Sequence, residues 1–282
     1  MPGDLSLPAP LLGAADQEAY GAIEDEFNAF LDASLQAHGP DLLYDLVAGL
    51  ALPDGAVALD IGCGVGRHSI ELARRFSVSV RAFDPAEREL EVARARLVDA
   101  ATDDPSLPGR VTFEAGSVEH LRVPDGSADL AWCRDVLSLI EDLEAAYAEI
   151  RRTLKPGGHA LIYQAFATER LEPAEAAFLL PTMGCFAASM DPAHTETAIG
   201  AAGLDIERCI VLGTEWGEFD QEQTGKPGRK LLHAGRLLRD PDRYVARFGR
   251  ANYDIALGDC LWHVYRLIGK LSGRVYVLRA TS

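Results

Sequence analysis

The stretch from Val57 to Gly66 (VALDIGCGVG) carries the clearest chemical pattern in the chain. Val57, Ala58 and Leu59 form a short apolar run, Asp60 and Ile61 follow, and Gly62, Gly64 and Gly66 then fall at every second position. The run reads as a buried strand, the glycines as a tight turn, and the amphipathic segment Ser69 to Phe76 as a helix. Glycine is needed where a side chain would hold the backbone away from a ligand, or where φ must be positive. The helix behind the turn aims unpaired N–H groups at whatever lies above it. This is a nucleotide-type binding loop, with Asp60, Gly62, Cys63, Gly64 and Gly66 as candidate contacts.

A second group lies about twenty residues further on, where doubly wound folds hold a ribose. Ser77 to Phe83 (SVSVRAF) reads as a strand that ends at Asp84. A carboxylate suits a ribose because it accepts hydrogen bonds from both vicinal hydroxyls. Asp84-Pro85-Ala86-Glu87 is also a good helix start, with an Asp N-cap, Pro at the first position and an acid at the third. Both readings put Asp84 at the strand's carboxyl end, and they are compatible.

Further elements must position these groups. Apolar residues at Tyr20, Ile23, Phe27, Phe30, Leu31 and Leu35 predict a helix over Ala14 to Ala37, and Leu42 to Leu50 a second. After Asp84 a helix runs from Ala86 to about Ala100, and Val111 to Ala115 is a third strand, followed by Gly116-Ser117-Val118. Pro124 to Ser127 turns the chain into a fourth strand, Ala128 to Cys133, with Arg134 and Asp135 just past its end. Leu143, Ala146, Tyr147, Ile150 and Leu154 mark a helix that stops at Leu154-Lys155-Pro156-Gly157-Gly158, and His159 to Phe166 is a fifth, buried strand.

A dinucleotide fingerprint would be G-x-G-x-x-G, and Arg67 occupies its third glycine position. The spacing found, G-x-G-x-G after Leu59-Asp60-Ile61, resembles the first motif of class I S-adenosylmethionine-dependent methyltransferases. L-K-P-G-G before the fifth strand is frequent in that family and unusual in nicotinamide-binding folds. The resemblance covers about residues 14 to 166. It implies S-adenosylmethionine as cofactor, held by the glycine loop, by Asp84 on the ribose, and by Ser117, Val118 and Arg134. The chain departs from the pattern at Ser117, where the family commonly has an acid on the adenine amino group; a hydroxyl still accepts there, without charge assistance. The resemblance also implies a Rossmann-like α/β fold. Its sheet is seven-stranded and mostly parallel, with helices on both faces and the antiparallel seventh strand inserted between the fifth and sixth. The two N-terminal helices resemble the family's cap over the cofactor.

Beyond residue 166 the resemblance thins. Ala167 to Met190 reads as irregular, Pro192 to Ala202 as a helix, Leu204 to Gly213 as a polar-faced edge strand, and Arg274 to Arg279 as the final buried strand. Between the last two lie about sixty residues, Thr214 to Gly273, where simple family members have a hairpin. The ligand crevice of an open parallel sheet lies outside the strands' carboxyl ends, so an insertion there sits over it as a helical lid. The expected organisation is a tail over 1–13, a core over 14–213 and 274–282, and the insertion over 214–273. Candidate acceptor contacts are Gln164 near the end of the fifth strand, with Glu215 and Tyr253 from the insertion. Candidate proton acceptors are Asp135 beside the switch point and the insertion's His233 and His263, whose ordinary pKa suits a base near neutrality. The insertion also carries a cationic run that includes Lys226, Arg229, Lys230, Arg236, Arg239 and Arg243.

Composition narrows the function. The 282 residues are 48% hydrophobic and 25% charged, enough for one large domain with a lid. A net charge of -16 argues against nucleic-acid binding and for small-molecule chemistry. Five widely spaced cysteines without a C-x-x-C fit reduced thiols in a cytoplasm, and neither a disulfide framework nor a metal site is expected. No apolar run reaches membrane-spanning length. The reading is methyl transfer from S-adenosylmethionine to a small molecule, at oxygen, nitrogen or carbon. The alternative is a regulatory or partner protein that binds the cofactor without transferring methyl.

Overall fold

The computed structural model describes residues 13–33 and 38–281. The expected tail falls almost wholly outside these residues, as do positions 34–37 of the expected first helix. Helix α1 (Ala14–Ala33) belongs to a unit of its own. It carries six acidic residues and no basic one, and the Gly13 N–H donates to Asp16 Oδ2 at 2.8 Å at its start.

The second unit begins at His38 and holds the sheet. In chain order it runs α2 (Asp41–Gly49), β1 (Val57–Ile61), α3 (Arg67–Phe76), β2 (Ser79–Asp84), α4 (Glu87–Ala100), β3 (Val111–Ala115), β4 (Ala128–Arg134), α5 (Leu143–Thr153) and β5 (Leu154–Ala167). There follow α6 (Pro173–Thr182), α7 (Pro192–Ala201), β6 (Leu204–Gly213), α8 (Glu215–Thr224), α9 (Lys226–Arg239), α10 (Pro241–Phe248), α11 (Arg250–Leu267) and β7 (Leu271–Ala280). The strands form one seven-stranded sheet in the order β3-β2-β1-β4-β5-β7-β6. Strands β1 to β5 pair in parallel, and β7 is antiparallel to both β5 and β6, as the family resemblance implies.

Strands covered on both faces must be apolar throughout, and β1 is buried at every position after Val57. On one face α2, α3 and α4 pack Leu43, Val47, Leu72 and Leu90 against Val80, Trp132 and Tyr163. On the other, α5 and α7 pack Tyr147, Ile150 and Ile199 against Leu59, Cys133, Ile162 and Tyr276. Complete burial of each such side chain contributes about 1.5–3 kcal/mol.

Two expectations are corrected. Strand β5 starts at Leu154 rather than His159, with the register shifting between Ala128 and Leu130, so L-K-P-G-G is an irregular strand entrance. Ala167 to Met190 is not irregular throughout, because it contains α6. There Glu172 and Glu175 form a capping box, Pro173 occupies the first turn where its missing N–H costs nothing, and Pro181 comes only one residue before the end. The insertion is helical over most of its length. Its α9 and α11 pack Ala234, Tyr253, Leu257 and Cys260 together, and α11 packs Val264 and Tyr265 on Leu179 and Leu180 of α6. Among the described residues all five cysteines are free, and no helix is long and apolar enough to cross a membrane.

Candidate active site

The glycine turn is pinned by the end of the neighbouring strand. The N–H groups of Gly62 and Cys63 both donate to the Phe83 carbonyl, at 2.8 and 2.9 Å. Gly62 has φ of 73°, and a Cβ there would lie 2.1 Å from Val136 Cγ2, so no other residue fits. Gly64 has φ of 50° and nothing within 4 Å of where its Cβ would be. Its face is the open approach above the turn, left bare for a ligand to touch the backbone. Gly66 is the N-cap of α3.

Asp84 is not the N-cap read from its sequence context, because α4 starts at Glu87 with Ala86 as its N-cap; its carboxylate instead ties the turn before α4 to the glycine turn. Its Oδ1 accepts from the Ala86 N–H at 2.9 Å, while Oδ2 accepts from the Gly64 N–H at 2.9 Å. Each oxygen keeps a further lone pair for a ligand hydroxyl. Asp84 lines a cavity of about 460 Å³ with Gly62, Pro85, Gly116, Ser117, Val118, Glu119, Arg134, Asp135, Val136, Leu139 and Ile140. The carboxyl ends of β1, β2, β3 and β4 meet there, at the switch point of the sheet.

Asp60 and Cys63 stand behind this cavity. Asp60 is 2% exposed, and its Oδ2 accepts from Ser69 Oγ at 2.5 Å. Burial pushes its pKa up to about 7, with Asp84 adding to the rise and Ser69 and Arg134 opposing it. It acts from below as a brace between β1 and α3. Burial likewise pushes the Cys63 thiol up, and its Sγ lies 3.7 Å from the Gly64 carbonyl.

Arg134 closes one end of the cavity within a chain of aromatic and polar contacts. Its guanidinium donates to His68 Nε2, and His68 Nδ1 lies 2.6 Å from the Tyr44 hydroxyl. Burial, then Arg134 and Arg67, lowers the His68 pKa to about 3, so the ring is neutral. Because Nε2 accepts, the network assigns the proton to Nδ1, which donates to Tyr44. Tyr44 stacks on Trp132 at 5.3 Å, with Arg75 over its ring at 4.2 Å. Arg134 Nε is buried without a hydrogen-bond partner. Its nearest carboxylate is Asp135 Oδ2, at 3.8 Å.

Asp135 adopts φ of 58°, unusual for a residue with a side chain, and its N–H donates to the Tyr163 carbonyl at 2.9 Å. Its side chain keeps 43% of its accessible surface. It lines the recess, and desolvation raises its pKa against the pull of Arg134 and Arg266. Arg266 in α11 donates to the Tyr163 hydroxyl at 3.1 Å. Tyr163 and Trp216 of α8 are in contact at 3.9 Å between ring centres, with Arg134 5.2 Å and Arg266 5.8 Å from the Trp216 ring.

The acceptor candidates separate. Gln164 is fully buried and does not line the recess; its Nε2 donates to the Ser189 carbonyl and ties β5 to the segment after α6, while its Oε1 is left without a hydrogen-bond partner. Glu215 binds His38 at the start of α8. Tyr253 is core of the insertion, with its hydroxyl 3.4 Å from the Leu237 carbonyl. His263 is half-buried near Asp220 and Asp259, and His233 lines a different cavity between α9, α10 and α11. Neither histidine borders the cavity at Asp84. Their side-chain type suggested a base, and the fold places them away from the recess. Tyr44, His68, Tyr163, Trp216 and Arg266 are absent from the sequence reading, since only the folded chain brings them to one end of the sheet.

The comparisons agree with this geometry. A family model described as a methyltransferase domain matches residues 59–162, which is β1 through most of β5. Methyltransferase GfsG of Streptomyces halstedii is 32% identical over 124 residues, covering 44% of this chain and 43% of that protein. The 27-O-demethylrifamycin SV methyltransferase of Amycolatopsis mediterranei is 36% identical over 117 residues, covering 41% of each. The matched region thus spans about two fifths of these curated relatives. The solved structure of the [4+2]-cyclase SpnF has the same fold, with a TM-score of 0.64, 21% identity and 94% of each chain covered. The match across β1 to β5 gives the chain a methyltransferase domain over residues 59–162, and the strand order and the glycine turn tied to Asp84 are found there.

Proposed function

We propose that this chain transfers methyl from S-adenosylmethionine to a small-molecule acceptor in the recess between Asp84 and Asp135. The observation that supports it most is the unfinished polar chemistry of that recess. Asp84 has lone pairs to spare, the Gly64 face is bare, and Arg134 Nε is buried without a hydrogen-bond partner. These fit a ribose diol, a close-lying backbone contact and an amino-acid carboxylate, the polar parts of the cofactor. Ser117 and Val118 would face its base, the serine hydroxyl accepting without charge. Bound there, S-adenosylmethionine supplies an electrophilic methyl group on a positively charged sulfur with a good leaving group.

The chain's own part is then alignment, exclusion of water and removal of a proton. Asp135 is the group for the proton. Its position is fixed by the Tyr163 carbonyl, and its raised pKa makes it a stronger base than a solvated carboxylate. Trp216 and Arg266 of the insertion meet Tyr163, and the Arg134 guanidinium at the edge of the recess lies over the Trp216 ring, which supports reading the insertion over 214–273 as a lid. A reducing, cytoplasmic setting suits the five free thiols. Calorimetry with S-adenosylhomocysteine tests the reading: one site per chain is expected, and no heat at millimolar ligand would end it. Mass spectrometry of small molecules released from the denatured protein should then find the cofactor or its product.

A further inference from the structure

The insertion contains a cavity of its own, of about 390 Å³, between α9, α10 and α11. It shares no lining residue with the recess at Asp84. One part of its wall is polar and on balance cationic, with Lys230, Arg236 and His233 and with Asp259, the carboxylate that pairs with Lys230. Another part is apolar, with Leu237, Ala256 and the buried Cys260. We infer that this cavity binds an organic anion, a small molecule with a phosphate or carboxylate head and an apolar body.

The charge distribution carries the argument. The chain as a whole is at -16, yet Lys226 to Arg250 holds eight Lys and Arg against only Asp240 and Asp242. In a protein with 43 acidic residues and 27 basic ones, a cation ordinarily finds an acid. Here Lys230 pairs with Asp259 and Arg250 with Asp254, whereas Lys226, Arg229, Arg236, Arg239, Arg243 and Arg247 make no ion pair among the described residues. Like charges gathered on two short helices repel one another, and an anion seated among them relieves that repulsion. The Lys230–Asp259 pair bridges α9 and α11 and fixes the Lys230 ammonium at the wall, leaving the Arg236 guanidinium unpaired for a ligand. The volume is that of a small-molecule site, and the apolar lining excludes a bare inorganic ion as the best-fitting occupant. This inference is independent of methyl transfer.

Calorimetry with the full chain tests it, using hexyl phosphate, hexanoate, inorganic phosphate and hexan-1-ol as probes. One hexyl phosphate or hexanoate should bind per chain, the tighter of the two naming the head group, with inorganic phosphate weaker and hexanol undetectable. Arg236→Glu and the cavity-filling Ala256→Trp should each weaken the alkyl anion by at least about tenfold. Arg247→Glu makes the same charge change outside the cavity wall, and its affinity should stay within about threefold of wild type. The assignment is overturned if neither alkyl anion binds at millimolar concentration, if hexanol binds equally well, or if Arg247→Glu loses as much as Arg236→Glu. Binding of a nucleic-acid duplex in place of these probes would equally overturn it, turning the run into a polyanion surface.

Discussion

Asp84 holds Gly64 by a 2.9 Å hydrogen bond from its carboxylate to the glycine N–H, so the end of β2 sets the shape of the turn after β1. The same carboxylate holds the turn before α4 through Ala86. Asp84→Ala should therefore weaken S-adenosylhomocysteine by about 1–3 kcal/mol and lower the melting temperature as well. Calorimetry and thermal melts on the same samples separate the two effects. If only the melt moves, Asp84 supports the loop and does not touch the ribose.

Gly62 and Gly64 should fail in different ways. Gly62→Ala drives a methyl into Val136, and such overpacking costs about 1–3 kcal/mol or more. Val136→Ala in the same chain should recover part of that loss in urea unfolding. Gly64→Ala meets no neighbour and carries only the left-handed strain of about 1–2 kcal/mol, so it should fold and lose the cofactor. A Gly64→Ala protein that binds like wild type would remove the backbone approach from the site.

Asp60 and His68 should pull the pH dependence of stability in opposite directions. The folded pKa of Asp60 is raised to about 7, so the native state holds the extra proton between about pH 4 and 7, and stability falls as pH rises through that window. His68 is lowered to about 3, so the unfolded state holds the extra proton between about pH 3 and 6.5, and stability rises with pH there. Each slope is bounded at about 1.4 kcal/mol per pH unit. Asp60→Asn should leave the rising slope exposed and His68→Gln the falling one, as read by chemical denaturation from pH 4 to 7. Identical slopes in both variants would contradict these assignments.

With an acceptor in hand, Asp135→Asn should lower turnover by about a hundredfold or more and leave cofactor affinity nearly unchanged. His233→Ala and His263→Ala should keep near-normal turnover, because neither borders the recess. Loss of turnover in a histidine variant, with Asp135→Asn active, would move the base to the insertion.

Much of the core was legible because its signals are local. A strand, three glycines and an acid about twenty residues later are read from neighbouring positions, and they fold to neighbouring places. The same locality misled over Ala167 to Met190, read as irregular, where α6 forms with Pro173 in its tolerant first turn and Pro181 next to its last residue. Gln164 was chosen for its nearness to a strand end, and the fold turned it onto Ser189. Trp216 and Arg266 stayed hidden because they are linked to Tyr163 across 53 and 103 positions, and no periodicity announces such a meeting.

The two ends of the insertion are neighbours, since Gly213 of β6 pairs with Gly273 of β7. Just beyond them α8 and α11 touch, where a Cβ on Gly217 would lie 2.9 Å from the Leu267 backbone. An excursion that leaves and returns at one spot is a detachable cassette. Shortening it from about sixty residues to about four changes the closure free energy by only about 2 kcal/mol, whatever the cassette encloses. On the proposed function, acceptor choice would diverge by exchange of this one segment, while the register of β5, β6 and β7 stays as it is.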